Sequence, residues 1–360
     1  MSVPTPEEPA GAERAAVVRT VTGDLPTHRL GRTDYHEHLL MRSPLLAGDE
    51  LDDVDRSAAE ALALRRAGID ALVELTPLGC GRDLRGLATI AERTGMHIVG
   101  ATGVHREAHY GSDHWVRGLG PDALVDRFVR EITDGCFDDP PSAVGSPPQE
   151  IPTSEATASG NAPAGTEDPR TATDPIGTGV RAGVVKVGIG YWSITGFERQ
   201  VLLAAAETHR RTGVSVVCHL EHGTAAWEAV DLLTGAGLPP YRLALAHVDR
   251  NPDPALHTAL AEAGVYLGYD GAGRVKYWPD SVLVECLLRV AEQGGEDRLL
   301  LGGDVARRSS FRAYGGLPGM TYLPERFVPR IAVGGGGGLV RKILVDNPAR
   351  FLAIPPEVAR

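Results

Sequence analysis

From residue 17 onward, short apolar runs alternate with longer stretches whose apolar residues recur at helical spacing. Runs at 69–75, 97–102, 182–188, 214–219, 241–247, 265–269 and 298–304 predict strands. Stretches at 55–67, 84–94, 121–133, 196–211, 225–233, 254–263 and 281–293 predict helices. Several of these close on a glycine, at Gly68, Gly95, Gly213 and Gly264, the residue that a left-handed helix cap favours. Pro121 falls in a first helical turn, where its missing N–H is not needed. A short strand at 17–21 and the turn at Gly23-Asp24 lead into one further strand that ends in Asp34-Tyr35-His36-Glu37-His38-Leu39, and 339–352 reads as a closing helical segment.

Near-continuous apolar strands separated by helices mean a parallel sheet covered by helices. With the strand ending at His38 there are eight strand–helix units, the number that closes an α/β TIM barrel. An open doubly wound sheet is the alternative, but no G-x-G-x-x-G follows the first strand. Residues 17–360 are therefore expected to form one barrel domain, preceded by a flexible tail at 1–16. Residues 138–174 are rich in Pro, Ser, Thr, Ala and Gly and hold almost no large apolar side chain. Such a stretch cannot offset its ordering entropy by burial, so a disordered surface insertion is expected there.

A net charge of -11 over 360 residues argues against nucleic-acid or anionic-membrane partners and favours plain solubility, which leaves a small-molecule substrate as the expected partner. Cys80, Cys136, Cys218 and Cys286 are scattered and form no C-x-x-C pair, which suits reduced thiols. The N-terminus lacks the apolar core of a signal peptide, and no apolar run reaches membrane-spanning length. The reading is a soluble, cytoplasmic protein.

Candidate chemistry gathers at the strand ends, where barrels of this kind place their active sites. His36 and His38 lie two apart on a strand, so their imidazoles share a face and Glu37 takes the other. Lys186, His219, His247 and Asp304 close four further strands. Singly, each has a plain alternative: a surface histidine pair, a core histidine, a loop-capping aspartate, a lysine reaching solvent. Six metal-capable groups at one rim are much harder to assign to chance.

The motifs H-E-H-L, V-K-V-G, C-H-L-E-H-G, A-H-V-D-R-N-P-D, L-G-G-D and D-N-P-A-R-F-L, in that order, resemble the phosphotriesterase-like branch of the amidohydrolase superfamily. The resemblance implies a hydrolase with two divalent metal ions. His36, His38 and Asp304 would hold the buried ion, and His219 and His247 the exposed one. Lys186, carboxylated by carbon dioxide, would bridge both. Zinc is favoured, with manganese, cobalt and iron tolerated by the same donors. Two such ions acidify a bridging water, and Asp304 would carry its proton towards the leaving group. A homodimer is also implied.

One departure matters: Arg250 stands where phosphotriesterases carry the second member of an acidic pair. Organophosphates are therefore not the expected substrates. Asp249 remains a candidate for orienting a ligand imidazole. Arg250, Arg274 and Lys276 follow strands on the active-site rim and could bind a phosphate. The sub-branch with D-R-N-P-D and R-V-K-Y resembles lactonases that open phosphorylated sugar 1,4-lactones, and that is the expected reaction. Phosphotriester or N-acyl amino acid hydrolysis, or a non-catalytic sugar-binding barrel, are the alternatives. Tyr110 is expected at the substrate wall, in a loop with His105, His109, His114 and Trp115. Those histidines read as either a substrate wall or a solvated loop. Arg307 and Arg308 follow Asp304, and the five glycines at 334–338 read as a flexible hinge.

Overall fold

The computed structural model describes residues 16–139 and 178–355. Apart from Ala16, Asp138 and Asp139, the tail expected at 1–16 and the insertion expected at 138–174 lie outside the described residues. An antiparallel hairpin opens the chain, β1 (Val17–Thr20) with β2 (Gly23–Pro26). Eight parallel strands then pair in chain order: β3 (Thr33–Glu37), β4 (Ala71–Glu74), β5 (His97–Val104), β6 (Val184–Ile189), β7 (Val216–Leu220), β8 (Leu243–Ala246), β9 (Tyr266–Tyr269) and β10 (Leu299–Leu301). Helices alternate with them: α1 (Val54–Arg66), α2 (Leu84–Thr94), α3 (Pro121–Thr133), α4 (Gly196–Thr212), α5 (Ala226–Gly235), α6 (Pro254–Glu262), α7 (Asp280–Val290), α8 (Val328–Arg341) and α9 (Asn347–Leu352). At the seam between β10 and β3, the Asp304 backbone N–H donates to the His36 carbonyl at 2.8 Å. The expected TIM barrel is present.

Alternate strand residues point to opposite faces, so the barrel has two apolar cores. Inside it, Val73, Val99, Val184, Val217, Ala244 and Leu300 pack together. Val18 and Leu25 of the hairpin and Phe351 of α9 join this inner cluster. Truncating Leu300 to alanine there would cost roughly 2–5 kcal/mol. The second core lies between strands and helices. Helix entries are fixed by side-chain caps: Asp53 for α1, Asp83 for α2, and a reciprocal Thr195/Glu198 box for α4.

Two expectations change. The strands expected at 241–247 and 298–304 stop at Ala246 and Leu301. His247 and Asp304 adopt left-handed backbone, with φ of 67° and 46°, so the chain turns away and the ladder cannot continue. Non-glycine residues rarely take this conformation, and two predicted ligands are among the few that do. The glycines at 334–338 are not a free hinge either: they lie within α8, which breaks at Gly336 with φ of 72°. A Cβ at Gly334 would sit 2.3 Å from Leu288, so glycine lets α8 press onto α7.

Candidate metal centre

The six predicted ligand residues come together. His36, His38, Lys186, His219, His247 and Asp304 all line one cavity of about 570 Å³ at the C-terminal ends of the strands. Each is nearly solvent-free.

What each imidazole offers is set by the partner on its other nitrogen. His36 Nδ1 lies 2.9 Å from Asp270 Oδ2, and His247 Nδ1 lies 2.6 Å from Asp270 Oδ1. A carboxylate can only accept, so both Nδ1 atoms carry protons and both Nε2 atoms present lone pairs. His38 Nδ1 meets Thr76 Oγ1 at 2.9 Å, and that hydroxyl donates to Glu74 at 2.6 Å. Its proton is spent, so it accepts from His38, whose Nε2 is left bare. His219 is reversed: its Nε2 bonds Glu221 at 2.8 Å, which leaves Nδ1. The bare nitrogens converge, with His247 Nε2 2.8 Å from His219 Nδ1. Asp304 Oδ1 lies 3.4 Å from the Nε2 of both His36 and His38.

Burial, first of all, pushes these imidazoles towards neutrality: His36 down to about 3 and His247 to about 4, with His219 also well below the ordinary value. Burial alone would raise Asp304, but Arg274 and the neighbouring imidazoles outweigh it and hold the carboxyl well below its usual range. Lys186 Nζ is buried and has no hydrogen-bond partner among the described residues, and burial pushes its amine down to about 8. Neutral imidazoles with lone pairs turned inward, an ionised carboxylate and an orphaned amine are a donor set that fits divalent metal ions. His36, His247 and Asp270 also lie close together, but there the carboxylate meets Nδ1–H groups. That contact orients ligands and does not itself form a cradle.

Asp270 is not among the candidates that the sequence offers. It is fully buried and also accepts from the Tyr35 hydroxyl and the His247 backbone N–H. Its only signal in the sequence is an aspartate directly after the seventh strand of the barrel. Asp249 does not touch an imidazole; it accepts the backbone N–H groups of Asp270 and Gly271 at 2.9 and 2.7 Å and so fixes the turn that carries Asp270.

The basic residues divide. Arg274 Nη2 lies 2.6 Å, and Arg250 Nη2 3.3 Å, from Asp304 Oδ2. Lys276 lines the same cavity with its Nζ 4.9 Å from the Tyr277 ring centroid, and no carboxylate pairs with it among the described residues. Arg307 lines the mouth and pairs with Asp49 at 3.3 Å, whereas Arg308 lies over the Tyr314 ring. Tyr110 is a correction. It is buried behind the cavity, its hydroxyl accepting from the His105 backbone N–H and donating to the Leu78 carbonyl. Both bonding directions are used within the protein, so it braces the loop and is not part of the substrate wall. His105 and His109 are buried and line the cavity, so they are no solvated loop. His114 caps a short helical turn by accepting from the Val116 N–H at 3.2 Å.

A parallel barrel with four imidazoles, a carboxylate and a buried amine at its strand ends is the framework of a metal-dependent hydrolase. The chain belongs to the phosphotriesterase family, whose sequence model matches residues 16–145 and 173–352. It is 30% identical over 352 residues to a phospho-furanose lactonase of Mycoplasmopsis agalactiae and 29% identical to one of Mycoplasmopsis synoviae. Each alignment covers 93% of this chain and 91% of the relative. Among solved structures, an amidohydrolase from Mycoplasma synoviae superposes with a TM-score of 0.81, 29% identity and coverage of 95% of this chain and 93% of that one. A lactonase from Listeria monocytogenes gives 0.77, 28%, 93% and 98%. The Escherichia coli phosphotriesterase homology protein, solved with phosphate in its active site, gives 0.73, 25%, 90% and 99%. No helix among the described residues is long and apolar enough to cross a membrane.

Proposed function

We propose that the protein is a lactonase that opens phosphorylated sugar 1,4-lactones at a centre of two divalent metal ions. The observation that carries the reading is the company Lys276 keeps. A cation with no carboxylate partner among the described residues lines the same cavity as the His/Lys/Asp cluster. An anionic group on the substrate would satisfy it by a charge-assisted bond, with the Tyr277 ring alongside. The lactonases among the relatives, and the phosphate held by the Escherichia coli protein, support the same choice.

His36, His38 and Asp304 would hold one ion, and His219 and His247 the other. Zinc suits this imidazole-rich set first, then manganese, cobalt or iron. Lys186 would join the two as a carbamate: its neutral amine forms an N–C bond to carbon dioxide and releases one proton. Two ions bound here would supply Lewis acidity towards a lactone carbonyl and towards water. Asp304, kept ionised by Arg274 and Arg250, accepts the proton of the attacking water. As the ring C–O bond breaks, Asp304 returns that proton to the departing oxygen, and the product is a hydroxy acid. Arg274 and Arg250 thus position Asp304, and Lys276 holds the phosphate. The four free, buried cysteines suit a reducing compartment, and we place the protein in the cytoplasm, as a homodimer.

The test is kcat/KM of the metal-loaded protein on phosphorylated 1,4-lactones, neutral lactones, organophosphates and N-acylated amino acids. The phosphorylated lactones should lead the panel. An organophosphate or acylated amino acid turned over faster would overturn the assignment.

A further inference from the structure

We propose that His105, backed by His109, donates a hydrogen bond to the hydroxyl beside the lactone carbonyl and so selects sugar lactones over deoxy or alkyl ones. The inference rests on the phosphorylated-lactone reading above and adds what the opposite wall of the cavity recognises.

His105 follows β5, and His109 ends a short helical turn at Glu107–His109. Both line the cavity, and neither belongs to the ligand cluster. His105 Nδ1 accepts the Arg106 backbone N–H at 2.8 Å. A neutral imidazole that accepts through one nitrogen carries its proton on the other, so Nε2 is a donor. Among the described residues no bond uses that donor, and because His105 lines the cavity the N–H is free to serve an acceptor on whatever fills it.

The ring is also held still. It stacks on His109 with centroids 3.8 Å apart and meets His219 edge-on at 4.6 Å. His109 is fixed in turn by Ser43 Oγ, 2.9 Å from its Nδ1. The backbone of His105 is braced by the Tyr110 hydroxyl at 2.8 Å. A donor immobilised before binding loses little entropy when it is used.

Its position selects which part of the substrate it meets. β5 is the third strand of the barrel and β9 the seventh, so they stand on opposite walls of the eight-stranded ring. Lys276 follows β9. In a 5-phosphorylated 1,4-lactone the phosphate hangs from the carbon next to the ring oxygen's attachment point. The hydroxyl on the second carbon lies across the carbonyl from that ring oxygen. With phosphate at Lys276 and the carbonyl over the cluster, this hydroxyl is turned towards β5 and His105.

The experiment compares two phosphorylated 1,4-lactones that differ only in that hydroxyl, using the full-length, metal-loaded protein. Wild-type kcat/KM should favour the hydroxylated compound by about tenfold or more. His105→Phe, which keeps a ring to stack on His109, should bring the ratio close to one without changing metal content. His105→Gln, which restores an N–H donor, should recover part of the preference. A wild-type ratio near one overturns the inference without any variant. So does a His105→Phe protein that slows both compounds equally. If wild-type protein hydrolyses neither phosphorylated lactone but acts on another member of the panel, the lactonase reading itself fails and this inference falls with it.

Discussion

His247 donates its Nδ1–H to Asp270 at 2.6 Å, and the same carboxylate takes the Nδ1–H of His36 at 2.9 Å. One buried side chain therefore sets the tautomer of an imidazole from each proposed half of the centre. Asp270→Asn offers one acceptor oxygen in place of two and adds an N–H pair that repels an imidazole N–H. At most one of the two rings can then keep its orientation. Metal affinity should fall about 10–100-fold, read by competition with a chromogenic chelator. Unchanged affinity would show that Asp270 serves only the fold.

Among the described residues the buried Lys186 amine has no hydrogen-bond partner, and as the proposed carbamate it would find its partner in bound metal. Lys186→Ala should lower bound metal from about two ions per chain and abolish turnover, and a short carboxylic acid added in solution should restore both. Full metal occupancy in the alanine protein, with no response to added acid, would exclude a bridging role.

How far the sequence reached follows from which contacts are local. A strand period of two puts His36 and His38 on one face, and parallel strands end at one rim, so the cluster could be placed by counting strands. Partners across the barrel obey no such period. Asp270 meets His36 across 234 positions, and Glu74 reaches His38 only through Thr76. Tyr110 reads as a wall residue for a similar reason: an aromatic loop residue at a barrel mouth has the composition of a substrate wall. Only the paired bonds to His105 and Leu78 reveal a brace. The left-handed turns at His247 and Asp304 carried no signal, because neither residue is glycine.

Lys276 and Arg274 looked equivalent in the sequence, and the structure separates them. Lys276→Ala removes a cation that no carboxylate among the described residues uses. It should raise KM for a phosphorylated lactone about tenfold or more, far beyond its effect on a neutral lactone. Arg274→Ala instead frees Asp304 Oδ2 from its 2.6 Å partner and should lower kcat on both lactones. If Arg274→Ala raised KM for the phosphorylated lactone alone, the roles assigned to the two cations would be reversed.

The last prediction concerns stability, away from the cavity. Arg82, from the loop before α2, places Nη1 and Nη2 2.7 and 2.8 Å from the two carboxylate oxygens of Glu131 in α3. Thr102 of β5 and Arg127 add bonds of 2.6 Å each, so one acid ties strand, loop and helix together. Burial alone would raise the Glu131 carboxyl, but Arg82 and these hydrogen bonds outweigh it, and the net shift is downward. A carboxyl with a folded pKa below its unfolded value of about 4.3 binds more protons when unfolded. Its contribution is therefore complete above the unfolded pKa and is lost as pH falls through the folded one. Glu131→Gln takes from buried Arg82 the carboxylate to which it is bonded and should cost about 3–5 kcal/mol near neutral pH. The gap between wild type and variant should start to narrow below about pH 4, because the unfolded wild-type chain then takes up a proton at Glu131 that the folded protein still resists, and it closes as pH falls through the folded pKa. Urea unfolding of both proteins near pH 7 and near pH 3 measures the two gaps. Equal gaps would mean that the shape of the glutamate, and not its charge, holds α3 to the barrel.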